Sequence, residues 1–141
     1  MITGWLVYAI GAALLYGLHQ VFTKLASERI SDGLGAFVVE ATAVATIVIY
    51  LAWLYASHRW RQTWTGAGLV YAMLTGVCVG AGTIAFFLLF QRGGPLSAVP
   101  AILAVGGALM AGVGIVWFGE ALRPERLLGI VLALIGLYLV R

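Results

Sequence analysis

Charge is what this sequence has least of. Only 9% of its 141 residues are Asp, Glu, Lys or Arg, where a soluble domain carries about 25%. So little charge excludes an ordinary solvated surface. Eight basic side chains against five acidic ones give a net charge of +3. They stand singly or in pairs at the ends of apolar runs, which excludes a nucleic-acid surface. A lone cysteine, Cys78, excludes an intrachain disulfide; it lies inside an apolar run, where a structural role is expected. No basic residue precedes the first apolar run, so the opening MITGW lacks the charged start of a cleaved signal peptide. No phosphate-binding glycine motif ending in Lys-Ser/Thr is present, which speaks against ATP hydrolysis. Without an HExxH motif or a Cys/His cluster, neither a metal nor another cofactor is expected. No Ser-His-acid set at plausible spacing appears, and the chain has no room for a soluble catalytic domain. An enzyme is not expected.

What the chain does have is apolar length. Hydrophobic residues make up 63% of it, the mean hydropathy is +1.07, and its 19 glycines fall mostly within apolar runs. Small residues at that frequency favour membrane helices whose backbones approach closely. Five apolar segments stand out, at 4–24, 33–57, 66–90, 95–118 and 126–140. The first four have the roughly 20 residues a spanning helix needs. The fifth is shorter, about 22 Å by rise per residue, and borrows Pro124 and Glu125 for its first turn. None alternates like a barrel strand. The expected fold is an all-α membrane protein: one domain over 1–141, a bundle of five transmembrane helices in a bacterial or archaeal inner (plasma) membrane.

The stretch from Arg92 to Arg126 organises the rest. Gly93, Gly94 and Pro95 break the chain and seed a helix, since proline at a first helical position sacrifices no bond. Pro100 lies one turn further, where a bend and a freed carbonyl are expected. Gly119, Glu120 and Pro124 close the segment. A GG-P-S-x-x-P start, a long small-residue helix, the Gly119-Glu120 pair and the closing GIVLALIGLYLV resemble the second half of an EamA-like domain of the drug/metabolite transporter superfamily. The opening GLHQVFTKLAS, with Phe22, Lys24 and Ala26, resembles that domain's beginning. The likeness spans nearly the whole chain. Such families commonly fuse two five-helix domains in opposite orientations; this chain holds one and resembles the half-size members. The resemblance implies a transporter, and in small multidrug-type members a short final helix pairs the subunits.

Orientation is poorly determined by charge. With five spans, the N-terminal side holds Arg59, Arg61, Arg123 and Arg126, and the other side Lys24, Arg29, Arg92 and Arg141. Orientation normally follows an excess of Lys and Arg in cytoplasmic loops, and four against four leaves none. All five tryptophans, Trp5, Trp53, Trp60, Trp64 and Trp117, map to the N-terminal side, although interfacial Trp and Tyr usually mark both faces. An antiparallel homodimer would restore a belt on each face. An accidental tie, decided by the N-terminal amine or one loop, is the competing reading.

Glu40 carries the most chemical information. It falls about 10 Å into the second helix, where a carboxylate is costly and usually faces a cavity or a partner. Its functional reading is proton coupling; its structural one is a bond to a neighbouring helix. His19 lies at similar depth on the first helix, and Tyr16, His19, Gln20 and Thr23 follow the spacing of one helical face. A Tyr-His-Gln stripe opposite Glu40 would make a polar pocket in which His19 shares or relays a proton. The same groups would also serve as plain interhelical hydrogen bonds. Ser97 and Pro100, starting the fourth helix on that face, are candidates for a pocket wall and hinge. Lys24 is expected to anchor its helix end.

Glu120 is expected to cap or charge-balance the start of the last helix, through nearby N–H groups or Arg123. Gly76, Gly80 and Thr83, with Gly82 beside them, form a small-residue ridge suited to helix packing. Gly129, Ala133 and Gly136 form another, chosen as a dimer contact. The expected activity is secondary transport of a small metabolite or an amphipathic or cationic compound, by alternating access between inverted subunits. The expected partners are a small-molecule substrate, the bilayer and a second inverted copy, with no nucleic acid. A non-transporting scaffold or accessory subunit of a larger complex is the alternative.

Overall fold

The computed structural model describes residues 4–121 and 124–139, without the side chains of Arg126, Ala133, Leu134 and Leu137. Arg123 and Arg141 lie outside the described residues. Five α-helices follow one another, and no strand occurs among the described residues: α1 Gly4–Ser27, α2 Asp32–Ala56, α3 Gly66–Gln91, α4 Val99–Val116 and α5 Pro124–Leu139. A 3₁₀ turn, Leu96–Ala98, leads into α4. Four segments are long and apolar enough to cross a membrane: α1, α2, α3 and Leu96–Val116. The chain is an integral membrane protein. At 16 residues, α5 reaches about 24 Å.

The chain divides into two units, Met1–Gly93 and Gly94–Arg141. In the first, local chemistry sets each helix end. The α1 helix runs past Lys24 to Ser27, whose hydroxyl donates to the Lys24 carbonyl at 2.8 Å. A tight turn follows, with Arg29 and Ile30 N–H both donating to the Ala26 carbonyl, at 2.8 and 3.0 Å. Ser31, in extended conformation, then opens α2. At the far end of α2, Arg59 N–H reaches the Leu54 carbonyl (2.9 Å) and His58 N–H the Tyr55 carbonyl (3.2 Å). These are the two bonds of a Schellman ending, and they put His58 at φ 55°, the left-handed region. The Thr65 hydroxyl caps α3 by accepting from Gly68 N–H at 3.1 Å. Gly93, at φ 86°, takes the left-handed turn after α3.

Within this unit α3 packs against both α1 and α2, and, Leu54 apart, the buried residues gather at one end. Thr23 and Ser27 of α1, Gly35 and Ala36 of α2, and Thr83, Phe87 and Phe90 of α3 are all buried. The Phe87 side chain is 0% exposed. Its ring lies so close to Gly35 that a Cβ there would fall inside its van der Waals envelope. Gln91 closes this end, its Nε2 donating to the Ile30 carbonyl in the α1–α2 turn at 3.1 Å. Toward the opposite end the helices present large apolar side chains outward, among them Tyr8, Leu14, Ile49, Tyr71 and Val77. Lipid tails are as apolar as these side chains, so the sealed end is held by close packing and hydrogen bonds rather than by transfer from water.

In the second unit the start of α4 differs from expectation. Pro95 is extended, at φ −76° and ψ 140°, the chain makes its 3₁₀ turn, and α4 begins at Val99. Pro100 thereby falls in the first helical turn, where its missing N–H has no intrahelical duty. The carbonyl it would have orphaned, that of Leu96, accepts from Val99 N–H instead. The expected bend is replaced by a continuous helix with a 3₁₀ entry. At the other end of α4, Glu120 N–H donates to the Gly114 carbonyl at 3.0 Å. Gly119, at φ 65°, folds the chain back. A Cβ on Gly114 would sit 3.3 Å from the Glu120 carboxyl carbon. Glu120 therefore covers the last turn of α4.

Candidate functional site: a polar layer in the first unit

Three helices of the first unit meet at the α1–α2 turn, so depth can be counted from it. Gln20 lies seven residues before the end of α1, Glu40 eight after the start of α2, and Thr83 eight before the end of α3. By rise per residue all three are about 10–12 Å from the sealed end. Beneath them Phe87 and Phe90 fill the space toward the turn.

Glu40 is partly buried, and its Oε1 lies 2.6 Å from the Thr83 hydroxyl. That hydroxyl is also 3.0 Å from the carbonyl of Val79. A threonine hydroxyl has one proton to give and lone pairs to receive. Facing an ionised Glu40, Thr83 donates to the carboxylate. Facing a protonated Glu40, it accepts from the carboxyl and donates to Val79. One arrangement of heavy atoms serves both states, so the α2–α3 contact survives a change of protonation.

On α1 the polar stripe divides by environment. Thr23 is buried and donates to the His19 carbonyl at 2.8 Å. Gln20 is 7% exposed, and its Oε1 has no hydrogen-bond partner among the described residues. His19 is half-buried, and its Nδ1 is likewise without one. Tyr16 is 66% exposed and meets the His19 ring edge-on, centroids 6.3 Å apart. Glu40 thus bonds to Thr83 on α3, a residue that the sequence pattern places in a packing ridge with Gly76 and Gly80. A hydroxyl one helix away from a carboxylate leaves no periodic signal; only equal depth would have pointed to it.

The remaining candidates sit elsewhere. Ser97 is exposed in the 3₁₀ turn and Pro100 is exposed in the first turn of α4, both in the second unit. A Cβ on Gly76, Gly80, Gly129 or Gly136 would meet nothing within 4 Å, so none marks a close helix approach within its own unit. The side chain of Ala133 lies outside the described residues. Lys24, in the last turn of α1, has its Nζ 3.4 Å from Glu28 and 5.6 Å from the centre of the Phe90 ring, a charge held at the sealed end. Among the described residues no group of three His, Cys, Asp or Glu could hold a metal. Two open grooves share no residue with the layer: in the first unit about 440 Å³ beside Trp64, Thr65 and Leu69, and in the second about 410 Å³ beside Leu109, Val113 and Trp117. No ionisable side chain lines either groove. The layer, which holds the carboxylate and the unpartnered polar atoms, has the chemistry.

No solved structure matches the chain. Among curated proteins it is similar to the probable 4-amino-4-deoxy-L-arabinose-phosphoundecaprenol flippase subunit ArnE of Pseudomonas savastanoi pv. phaseolicola. The two are 31% identical over 102 residues, covering 70% of this chain and 89% of that one. The model of the EamA-like transporter family matches residues 3–141. With spanning helices, a carboxylate set within them and a family match along nearly its whole length, the chain belongs to the EamA-like transporter family and is a membrane transporter protein of the drug/metabolite type.

Proposed function

We propose that the protein is a half-size subunit of a secondary transporter in a bacterial or archaeal inner membrane, moving an amphipathic or positively charged small molecule by alternating access. The observation that carries this reading is the Glu40–Thr83 pair. A carboxyl group inside apolar helices is costly unless used, and here its hydroxyl partner accommodates both protonation states. Proton and substrate would then compete for Glu40. Most of the unit's buried residues lie at one end, and a closed end is one half of an alternating-access cycle. The similarity to a flippase subunit whose named substrate is lipid-linked supports an amphipathic cargo. In this proposal all five helices cross the bilayer, and two copies assemble antiparallel through Gly129, Ala133 and Gly136 of α5.

A second reading has its own support. The flippase relative is described as a subunit, which favours a chain that works only beside a different partner. One experiment separates the two. Purified chain is reconstituted into proteoliposomes, and uptake of a panel of radiolabelled amphipathic cations is followed under an imposed pH gradient. The transporter reading expects pH-driven uptake that falls at least about tenfold in Glu40→Gln, with the variant still folded by thermal melting. Absence of uptake by the chain alone, with flux appearing only beside a co-purified partner and unchanged in Glu40→Gln, would establish the accessory role.

A further inference from the structure

We infer that the polar layer selects ammonium groups that carry N–H bonds, and that Gln20 is the residue that makes the selection. The inference rests on the proposed use of Glu40 as a substrate site and goes beyond it to the substrate's chemical class.

At one depth the layer holds a carboxylate and an amide oxygen that no donor among the described residues reaches. Glu40 offers two carboxylate oxygens, of which Oε1 is engaged by Thr83. Thr83 has only that one proton to give, and its other neighbour, the Val79 carbonyl, is again an acceptor. At the same depth on α1, the Gln20 Oε1 is buried without a partner, and the adjacent His19 Nδ1 is buried without one as well. Gln20 is 7% exposed, so its amide oxygen is withdrawn from the surroundings of the chain and turned into the helix packing. A buried acceptor left unpaired is unfavourable and gains from any donor that reaches it.

The charge of Glu40 alone would accept any cation. A protonated primary or secondary amine brings a positive charge for the carboxylate together with N–H groups for the amide oxygen. A quaternary ammonium of the same charge brings methyl groups, which leave the Gln20 oxygen unpaired. Sites built to hydrogen-bond a substrate reject analogues lacking the donor more strongly than apolar pockets reject a change of size. One unpaired buried acceptor corresponds to roughly a tenfold loss of affinity or more. Gln20 thus discriminates between cations that Glu40 treats alike.

The test uses full-length protein in phosphatidylcholine nanodiscs at neutral pH. Tritiated benzylammonium and benzyltrimethylammonium, which share ring and charge, are the probes, and binding to empty nanodiscs is subtracted. Benzylammonium should bind saturably and at least about tenfold more tightly than its trimethyl counterpart. Gln20→Met should bring the two within about twofold while binding persists, and Glu40→Gln should abolish saturable binding of both. The wild-type ratio decides even if Gln20→Met does not fold. Equal affinity for the two probes, with both lost in Glu40→Gln, overturns the selection by Gln20 and leaves the Glu40 site standing. A preference that persists in folded Gln20→Met also overturns it. Absence of Glu40-dependent binding of either probe overturns the inference together with the site beneath it.

Discussion

The backbone of Gly35 on α2 lies against the ring of Phe87 on α3, closer than any side chain would permit. This contact sets the separation of two helices at the sealed end and, one to two turns further along, the reach of Thr83 to Glu40. Gly35→Ala should therefore destabilise the chain by about 1–3 kcal/mol, the usual cost of overpacking. Denaturant unfolding in mixed micelles would read it. Phe87→Leu should recover part of the loss in the double variant, because it relieves the same contact. Additive losses would mean that the two residues do not meet.

Thr83 can be tested apart from the rest of its helix. Thr83→Val keeps the shape and removes the proton that Glu40 receives, so stability should fall by about 0.6–1.7 kcal/mol, the range of interhelical hydrogen bonds in membranes. Thr83→Ser keeps the hydroxyl and should stay near wild type. If the hydroxyl also serves both protonation states of Glu40, the pH profile of uptake should change in Thr83→Val and be restored in Thr83→Ser. Matching profiles in all three proteins would reduce Thr83 to a packing residue.

Membrane architecture was legible because the bilayer reduces it to length and polarity. Four apolar runs of 20 or more residues had few other ways to fold, and the helices found there are close to the runs themselves. Depth was legible for the same reason: counting residues from a turn puts Gln20, His19 and Glu40 on one level. Which residues face one another was not. A helix that is apolar all round gives no moment to orient it, and α3 is nearly uniform in this respect, so Thr83 read as one small residue among several. Pro100 departs from expectation for a local reason. Where a helix starts decides what its proline does, and a 3₁₀ turn after Pro95 moved the start by four residues. A proline expected to bend α4 therefore helps to begin it.

His58 offers a stabilising change. It ends α2 in the left-handed region at φ 55° without being glycine, while both Schellman bonds are made around it. A side chain in that conformation costs roughly 1 kcal/mol, and glycine would remove the penalty. His58→Gly should therefore raise the unfolding free energy by up to about 1 kcal/mol. Calorimetry or melting in detergent would reveal it. A decrease would mean that the imidazole makes an interaction that outweighs its backbone strain.

Assembly is the remaining question, and topology answers it. Arg59 and Arg61 lie in the α2–α3 connection, whereas Lys24 and Arg29 flank the α1–α2 turn and Arg92 follows α3. Neither end of the first unit therefore has a basic excess large enough to bias insertion firmly by the rule that cytoplasmic loops collect Lys and Arg. The turn's charges are further offset by Glu28, which lies 3.4 Å from Lys24 and 3.9 Å from Arg29. The proposed antiparallel homodimer requires both orientations in one membrane. Single cysteines placed in the α1–α2 and α2–α3 connections of a Cys78→Ser background should each react with an impermeant thiol reagent from both sides. Adding two lysines to one connection should then drive the population to one orientation and abolish self-assembly, while mixing oppositely biased variants should restore it. Strictly one-sided labelling of the unbiased chain would remove the homodimer and make a second, inverted polypeptide the partner to seek.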